Sequence, residues 1–224
     1  MSYAVIIPML NEAAQLSALF EQLLPLQRAG CEIIFSDGGS TDGSANLAEM
    51  AGFTVVKSER DRALQMNAGA AQASANTLLF LHADTYLPQG ALRYIDAALA
   101  QSKYCWGRFD VCITGHPFML RIVSHMINLR SLLSGIATGD QAIFVRRSVF
   151  EQLGGFPVQP LMEDVELSKR LLAISRPACL KQCVTTSGRR WETRGVWHTI
   201  FLMWRLRWAY WRGADATDLA RQYQ

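Results

Sequence analysis

"TLLFLHAD", residues 77–84, is an unbroken apolar run that ends on a histidine, an alanine and an aspartate. A strand that is apolar at every position has no solvent face, so it is buried on both sides, as in a parallel sheet covered by helices. Three upstream stretches read the same way: "YAVIIP" (3–8), "CEIIFSDGG" (31–39) and "FTVVKS" (53–58). Between them residues 12–26 place Leu16, Leu19, Phe20, Leu23 and Leu24 at helical spacing, and further helices are expected from about Ser44 and near 62–74. Strands alternating with helices over short connections predict an α/β fold with a three-layer, mostly parallel sheet.

Ligands in such folds meet the carboxyl ends of the strands. Those ends hold Pro8, Asn11 and Glu12, then Asp37–Gly38–Gly39, then His82–Ala83–Asp84. Three successive strand ends therefore deliver acids or amides to one rim, which points to a site there. The second half is less regular. A strand is expected at about 104–113, then a bulky amphipathic segment at 117–134. A polar corner, "TGDQ" (138–141), leads into a strand and a short helix. "LMEDVELSKRLL" (161–172) then reads as a helix with Glu163 and Asp164 in its first turn.

The 224 residues are half hydrophobic, ample for a core, and no repeat, linker or low-complexity stretch divides them. A single domain is expected, with a first half (1–100), an elaborated second half (101–195) and a C-terminal helical extension (196–224). A net charge of +3 advertises no nucleic-acid partner. The N-terminus lacks the pattern of a secretory signal, and no charge-free apolar run reaches membrane-spanning length. The cysteines, Cys31, Cys105, Cys112, Cys179 and Cys183, form no C-x-x-C pair and read as reduced, mostly buried thiols of a cytoplasmic protein.

The stretches "VIIPMLNE", "SDGGSTDGS", "LLFLHADT" and "GDQAIFVRRSVFEQLGGF…LMEDVELSKRL" occur in an order that resembles family 2 glycosyltransferases of GT-A fold. With "RALQMNAG" and "SGRRWETRG" added, the chain is most similar to their radical-SAM/selenodomain-associated branch. The resemblance implies a Rossmann-like half that binds a nucleotide-diphosphate sugar through Pro8, Glu12, Asp37, Arg62, Asn67, His82 and Asp84, with Arg189 and Arg190 as a diphosphate clamp. It implies an inverting transfer to an unidentified hydroxyl acceptor, with Asp164 as base, Glu163 supporting it, and Asp140, Gln141 and Trp191 holding the acceptor.

Asp84 matches the last acid of the family's D-x-D motif and is the expected ligand of a divalent cation, Mn²⁺ or Mg²⁺. Such hard ions take oxygen ligands, and phosphates and water fill most of their sphere, so one carboxylate suffices. His82 departs from the motif's first Asp. That departure keeps a catalytically silent nucleotide-sugar binder in view, although the presence of both Asp84 and Asp164 argues against it. A nucleotidyltransferase would need a Gly-rich, Arg-containing loop after the first strand, and "IPMLNEAAQL" has none.

At 100° per residue, Trp197, Ile200, Phe201, Trp204, Trp208 and Trp211 form one stripe flanked by Arg205, Arg207 and Arg212. Aromatics edged by arginines suit a helix in a bilayer interface. Leu202, Leu206 and Tyr210 make the other face apolar too. For residues 196–212 a membrane surface, a homo-oligomer interface and packing within the chain all remain open.

Overall fold

Along the first strand, β1 (Tyr3–Met9), alternate side chains feed two apolar clusters. Ala4 and Ile6 point into one, and Val5, Ile7 and Met9 into the other. This is the consequence of an all-apolar strand: both faces must be covered. The computed structural model describes residues 1–116 and 118–223, and at Arg190 the backbone alone.

The chain runs β1, α1 (Ala13–Arg28), β2 (Glu32–Asp37), α2 (Ser44–Met50), β3 (Thr54–Lys57), α3 (Arg62–Gln72), β4 (Thr77–Phe80), β5 (Thr85–Tyr86) and α4 (Ala91–Leu99). It continues through β6 (Trp106–Thr114), α5 (Met119–Ser134), β7 (Phe144–Arg146), α6 (Arg147–Gln152), α7 (Glu163–Leu172), β8 (Ala178–Ser187), α8 (Arg189–Arg194), α9 (Val196–Trp211) and α10 (Ala216–Tyr223). One sheet takes the order β3-β2-β1-β4-β7-β6-β8-β5. β1 to β4 pair in parallel, β7 is antiparallel to both its neighbours, and β5 is antiparallel to β8.

Helices α1, α2, α4 and α5 cover one face, and α3, α6 and α7 the other. On α1, Leu16, Leu19 and Leu23 are fully buried, each contributing about 1.5–3 kcal/mol of transfer free energy. α3 lies close to β1 and β2 because Gly69 has no side chain: a Cβ there would come within 2.6 Å of Ile6 Cγ2 and Ser36 Oγ.

One expectation needs correction, and one strand had no sequence signal. The cysteines are all free, but only Cys31 is buried, and Cys112 is exposed. The stretch that forms β8 carries no strand pattern of its own, since Lys181, Gln182 and Cys183 interrupt any alternation. Eight residue pairings with β6, broken by one bulge, make it a strand.

The C-terminal helices fold back on the chain. Leu206 and Leu219 bury against Met162, with Leu202, Met203, Ala209 and Tyr210 around them. One face of α9 is thus packed within the molecule, which settles that part of the reading for 196–212. Ile200 also turns inward, whereas Trp197, Phe201, Trp204, Trp208 and Trp211 stay at least 60% exposed.

Candidate active site

The carboxyl ends of β1 and β4 meet the first turn of α7 and a 3₁₀ turn (Gly139–Gln141) around a cavity of about 470 Å³. Pro8, Glu12, Arg62, His82 and Asp84 line it from the sheet side, and Asp140, Glu163, Asp164 and Trp191 from the second half. Among the described residues three non-glycines hold positive φ, and each adjoins the candidate site: Asn11 (56°) before Glu12, Ala142 (47°) after Gln141, and Met162 (64°) before Glu163. Such backbone costs of order 1–3 kcal/mol each, and it persists where surrounding structure over-determines it.

Asp164 is held by amides. Its Oδ2 accepts from the Gly139 N–H at 2.8 Å and its Oδ1 from the Val165 N–H at 2.7 Å. Each carboxylate oxygen keeps a lone pair for the cavity. Its neighbour Glu163 is only 5% exposed. Burial, with the Asp164 charge beside it, pushes the Glu163 carboxyl up to about 7, and Arg62 at 3.8 Å pulls the other way.

His82 stacks against the 3₁₀ turn. A Cβ on Gly139 would lie 2.5 Å from His82 Nε2, so this turn admits only glycine at its first residue. Burial, and then the Arg62 charge, lower the His82 pKa to about 3, leaving a neutral imidazole. Its Nε2 is sealed from solvent and has no hydrogen-bond partner among the described residues.

Asp84 borders on hydroxyls, with Thr85 Oγ1 at 3.2 Å and Thr186 Oγ1 at 3.5 Å from Oδ1. Glu12 is nearby: burial first, then the Asp84 charge, raise its pKa. Among the described residues no group of three His, Cys, Asp or Glu is placed to hold a metal. The donor set therefore fits a hard cation that arrives with a diphosphate and takes Asp84 as its protein ligand, and does not fit a cage built by protein alone.

The structure does not bring every expected residue to the cavity. Asn67 is committed elsewhere: its amide exchanges two hydrogen bonds with the Phe156 backbone, at 2.8 and 2.9 Å. Gln141 is fully buried and bonds to Thr138 and Asn128. Both carboxamides hold loops here and stand outside the cavity lining. Asp37 accepts from the Gly39 and Ser40 N–H groups and closes the loop after β2, outside the cavity lining. Arg189 is exposed beyond the lining, although its charge acts on Glu12. The Arg190 side chain lies outside the described residues.

Other residues reach the site without sequence warning. Gln65 donates to the Met9 and Ser36 carbonyls at 2.7 and 2.8 Å, tying the ends of β1 and β2 together beneath the cavity. It lay inside the quoted "RALQMN", but nothing in its type set it apart. Gly139, Thr186, Arg207 and Tyr223 also line the cavity, the last two carried in by helices far along the chain.

Residues 4–154 match the family described as Glycosyl transferase family 2. The chain belongs to glycosyl transferase family 2. Among curated proteins, this family 2 chain is 28% identical over 165 residues to a PGL/p-HBAD biosynthesis glycosyltransferase of Mycobacterium tuberculosis. That match covers 69% of this chain and 62% of the relative's length. Among solved structures it is similar to Staphylococcus aureus TarS 1–349 in complex with UDP-GlcNAc (TM-score 0.65, 17% identity, 84% of this chain and 58% of that one). The Pyrobaculum calidifontis mannosyltransferase PcManGT, in complex with GDP-Man and Mn²⁺, superposes over 92% of this chain and 60% of its own (TM-score 0.62, 19% identity). At such identities the likeness speaks for the fold, which is GT-A.

Proposed function

We propose that this family 2 member is an inverting glycosyltransferase that moves a sugar from a nucleotide-diphosphate sugar to a hydroxyl acceptor. The observation that carries the reading is Asp164: a carboxylate fixed by two amides, facing the cavity that Asp84 and Glu12 also enter. Residues 1–100 supply the donor wall and 101–195 the acceptor wall. Asp37 acts by shaping the β2 loop against which the nucleoside rests, and Pro8, Glu12 and Arg62 face the donor directly.

In this reading Asp164 accepts the proton of the acceptor hydroxyl as its oxygen bonds to the anomeric carbon. The bond to the phosphate oxygen breaks on the other side, and the nucleoside diphosphate leaves with the electron pair. Glu163, its pKa raised by burial to about 7, hydrogen-bonds the acceptor beside Asp164. Asp84 would hold a divalent cation, Mn²⁺ or Mg²⁺, which when bound neutralises charge on the departing diphosphate. Neutral His82 offers a hydrogen bond at Nε2 and no charge, so it does not replace the missing acid as an anionic ligand. Neighbours with GDP-Man and Mn²⁺ in hand support donor and metal alike.

The similarity of "RALQMNAG" and "SGRRWETRG" supports the radical-SAM/selenodomain-associated branch. No described helix is long and apolar enough to cross a membrane. The free thiols suit a reducing compartment. We place the protein in the cytoplasm, with the exposed face of α9 against a membrane surface.

The test is to incubate the protein with labelled UDP- and GDP-sugars and Mn²⁺, following transfer or slow hydrolysis, beside Asp164→Asn. The asparagine oxygen still accepts from the Gly139 N–H, so the fold and nucleotide affinity are expected to survive while turnover falls on the order of 10²–10⁴-fold. Equal loss of nucleotide binding would make Asp164 a donor-site acid and remove the base.

A further inference from the structure

Three arginines of the second half have guanidinium nitrogens sealed from solvent, and they are treated differently. Arg108 is 1% exposed and fully engaged: it pairs with Asp110, bonds Ser131 Oγ at 3.1 Å and reaches the Asn128 carbonyl at 3.2 Å. Arg130 on α5 and Arg207 on α9 have no such company. The Nε and Nη2 atoms of Arg130 and Nε of Arg207 are sealed from solvent, and none has a hydrogen-bond partner among the described residues. No carboxylate lies within ion-pair distance of either guanidinium among those residues.

The two lie near one another, with Arg207 on the cavity lining and Arg130 outside it. Each guanidinium acts electrostatically on the other, and both act on Asp140. Arg207 itself lines the cavity beside Asp140, Asp164, Thr199 and Met203. Asp140 Oδ1 is also sealed and unpartnered. Burial raises the Asp140 pKa, and that weakens it as a counter-ion for the arginines. Burial, followed by repulsion from Arg207, lowers the Arg130 pKa to about 10, so Arg130 remains charged in the working range.

Buried guanidinium donors without acceptors are costly, and proteins keep them where an anion completes them. We infer that Arg130 and Arg207 form a subsite for a phosphate group carried by the acceptor, next to the hydroxyl that Asp164 deprotonates. This inference rests on the glycosyl-transfer reading for the word acceptor, but the anion site itself does not. Two cations match a phosphate dianion better than a carboxylate, and the guanidinium fork suits phosphate oxygens. The site stands apart from the diphosphate end, which Asp84 marks at the mouth of β4. The phosphate belongs either to a small soluble monoester or to a lipid headgroup.

Titration calorimetry with sn-glycerol 3-phosphate tests the subsite, on the protein alone and on protein saturated with UDP or GDP and Mn²⁺. Binding is expected in both states, weakened roughly tenfold or more by Arg207→Met, with nucleotide affinity unchanged. Arg207→Lys keeps the charge and loses the fork, and is expected to fall between. Vesicles containing phosphatidic acid, showing the same Arg207 dependence when glycerol 3-phosphate does not bind, would assign the phosphate to a lipid and uphold the site. Two results would overturn it: phosphate binding that ignores Arg207→Met, or one-for-one displacement of glycerol 3-phosphate by the nucleotide. Should neither UDP nor GDP bind while the phosphate does, the transfer reading fails and the anion site stands.

Discussion

Glu163 is a carboxyl with little solvent and a neighbouring acid, and its pKa near 7 has a thermodynamic consequence. A group that holds its proton more tightly folded than unfolded adds stability that is fully present below its unfolded pKa, about 4.5, and is lost as pH rises through about 7. The span corresponds to at most ~3 kcal/mol. Glu163→Gln keeps the shape and cannot ionise, so its unfolding free energy should stay flat from pH 5 to 8 relative to the native chain. Urea titrations at several pH values measure this, and parallel profiles for the two proteins would refute it. Asp84 is a second test at this scale. Asp84→Ala should abolish the Mn²⁺-dependent part of nucleotide binding in a thermal-shift assay, because no group of three His, Cys, Asp or Glu among the described residues is placed to hold the ion without it; unchanged Mn²⁺ dependence would remove Asp84 as ligand. Asp84 and Glu12 were legible because strand ends place them on one rim, and Asp164 through the order of the family's motifs; all three line the cavity. Asn67 and Gln141 were not. A carboxamide's role depends on which backbone groups the fold brings to it, and the partner of Asn67 stands 89 residues away.

Elements show the same division. β1, β2 and β4 could be read because strands buried on both faces are largely apolar, and their ends followed from that, while edge strand β3 is only half-buried. β8 owes its conformation to β6, and its own residues say little. The antiparallel insertion of β7 between β4 and β6 was equally hidden, since an apolar run carries no direction. The 3₁₀ turn is the most sensitive short element. Gly139 donates to Asp164 and faces His82 with no room for a methyl group. Gly139→Ala should cost about 1–3 kcal/mol through overpacking and should misplace Asp164, lowering turnover. Replacing His82 by serine opens the space, so Gly139→Ala combined with His82→Ser should recover part of that stability. A double-mutant cycle by chemical denaturation measures the coupling, and strict additivity would show that the two residues do not meet.

On the whole molecule, burial and exposure divide along two helices. α9 packs Leu206 inward and leaves Trp197, Phe201, Trp204, Trp208 and Trp211 in solvent. α5 does likewise, burying Leu120 and Val123 while Phe118 at its start and Ile122, Met126, Leu129 and Leu133 along it stay exposed. Ile127 of α5 and Val196 and Ile200 of α9 pack against the same apolar cluster. The periodicity of α9 was visible in the sequence, but which face the molecule itself consumes was not. Exposed apolar patches of this size on a monomer mark an interaction surface. Tryptophan favours the lipid–water boundary, and exposed Arg205 and Arg212 are of the right charge for anionic headgroups. The protein is therefore expected to bind anionic vesicles with a blue shift of tryptophan emission, and to release as salt screens the arginines. Trp204→Glu with Trp208→Glu should abolish that binding without altering nucleotide affinity, because both side chains point away from the cavity. If the native protein ignores vesicles, and the double variant converts a dimer to monomers by light scattering, the surface joins two copies of the chain and the membrane placement falls.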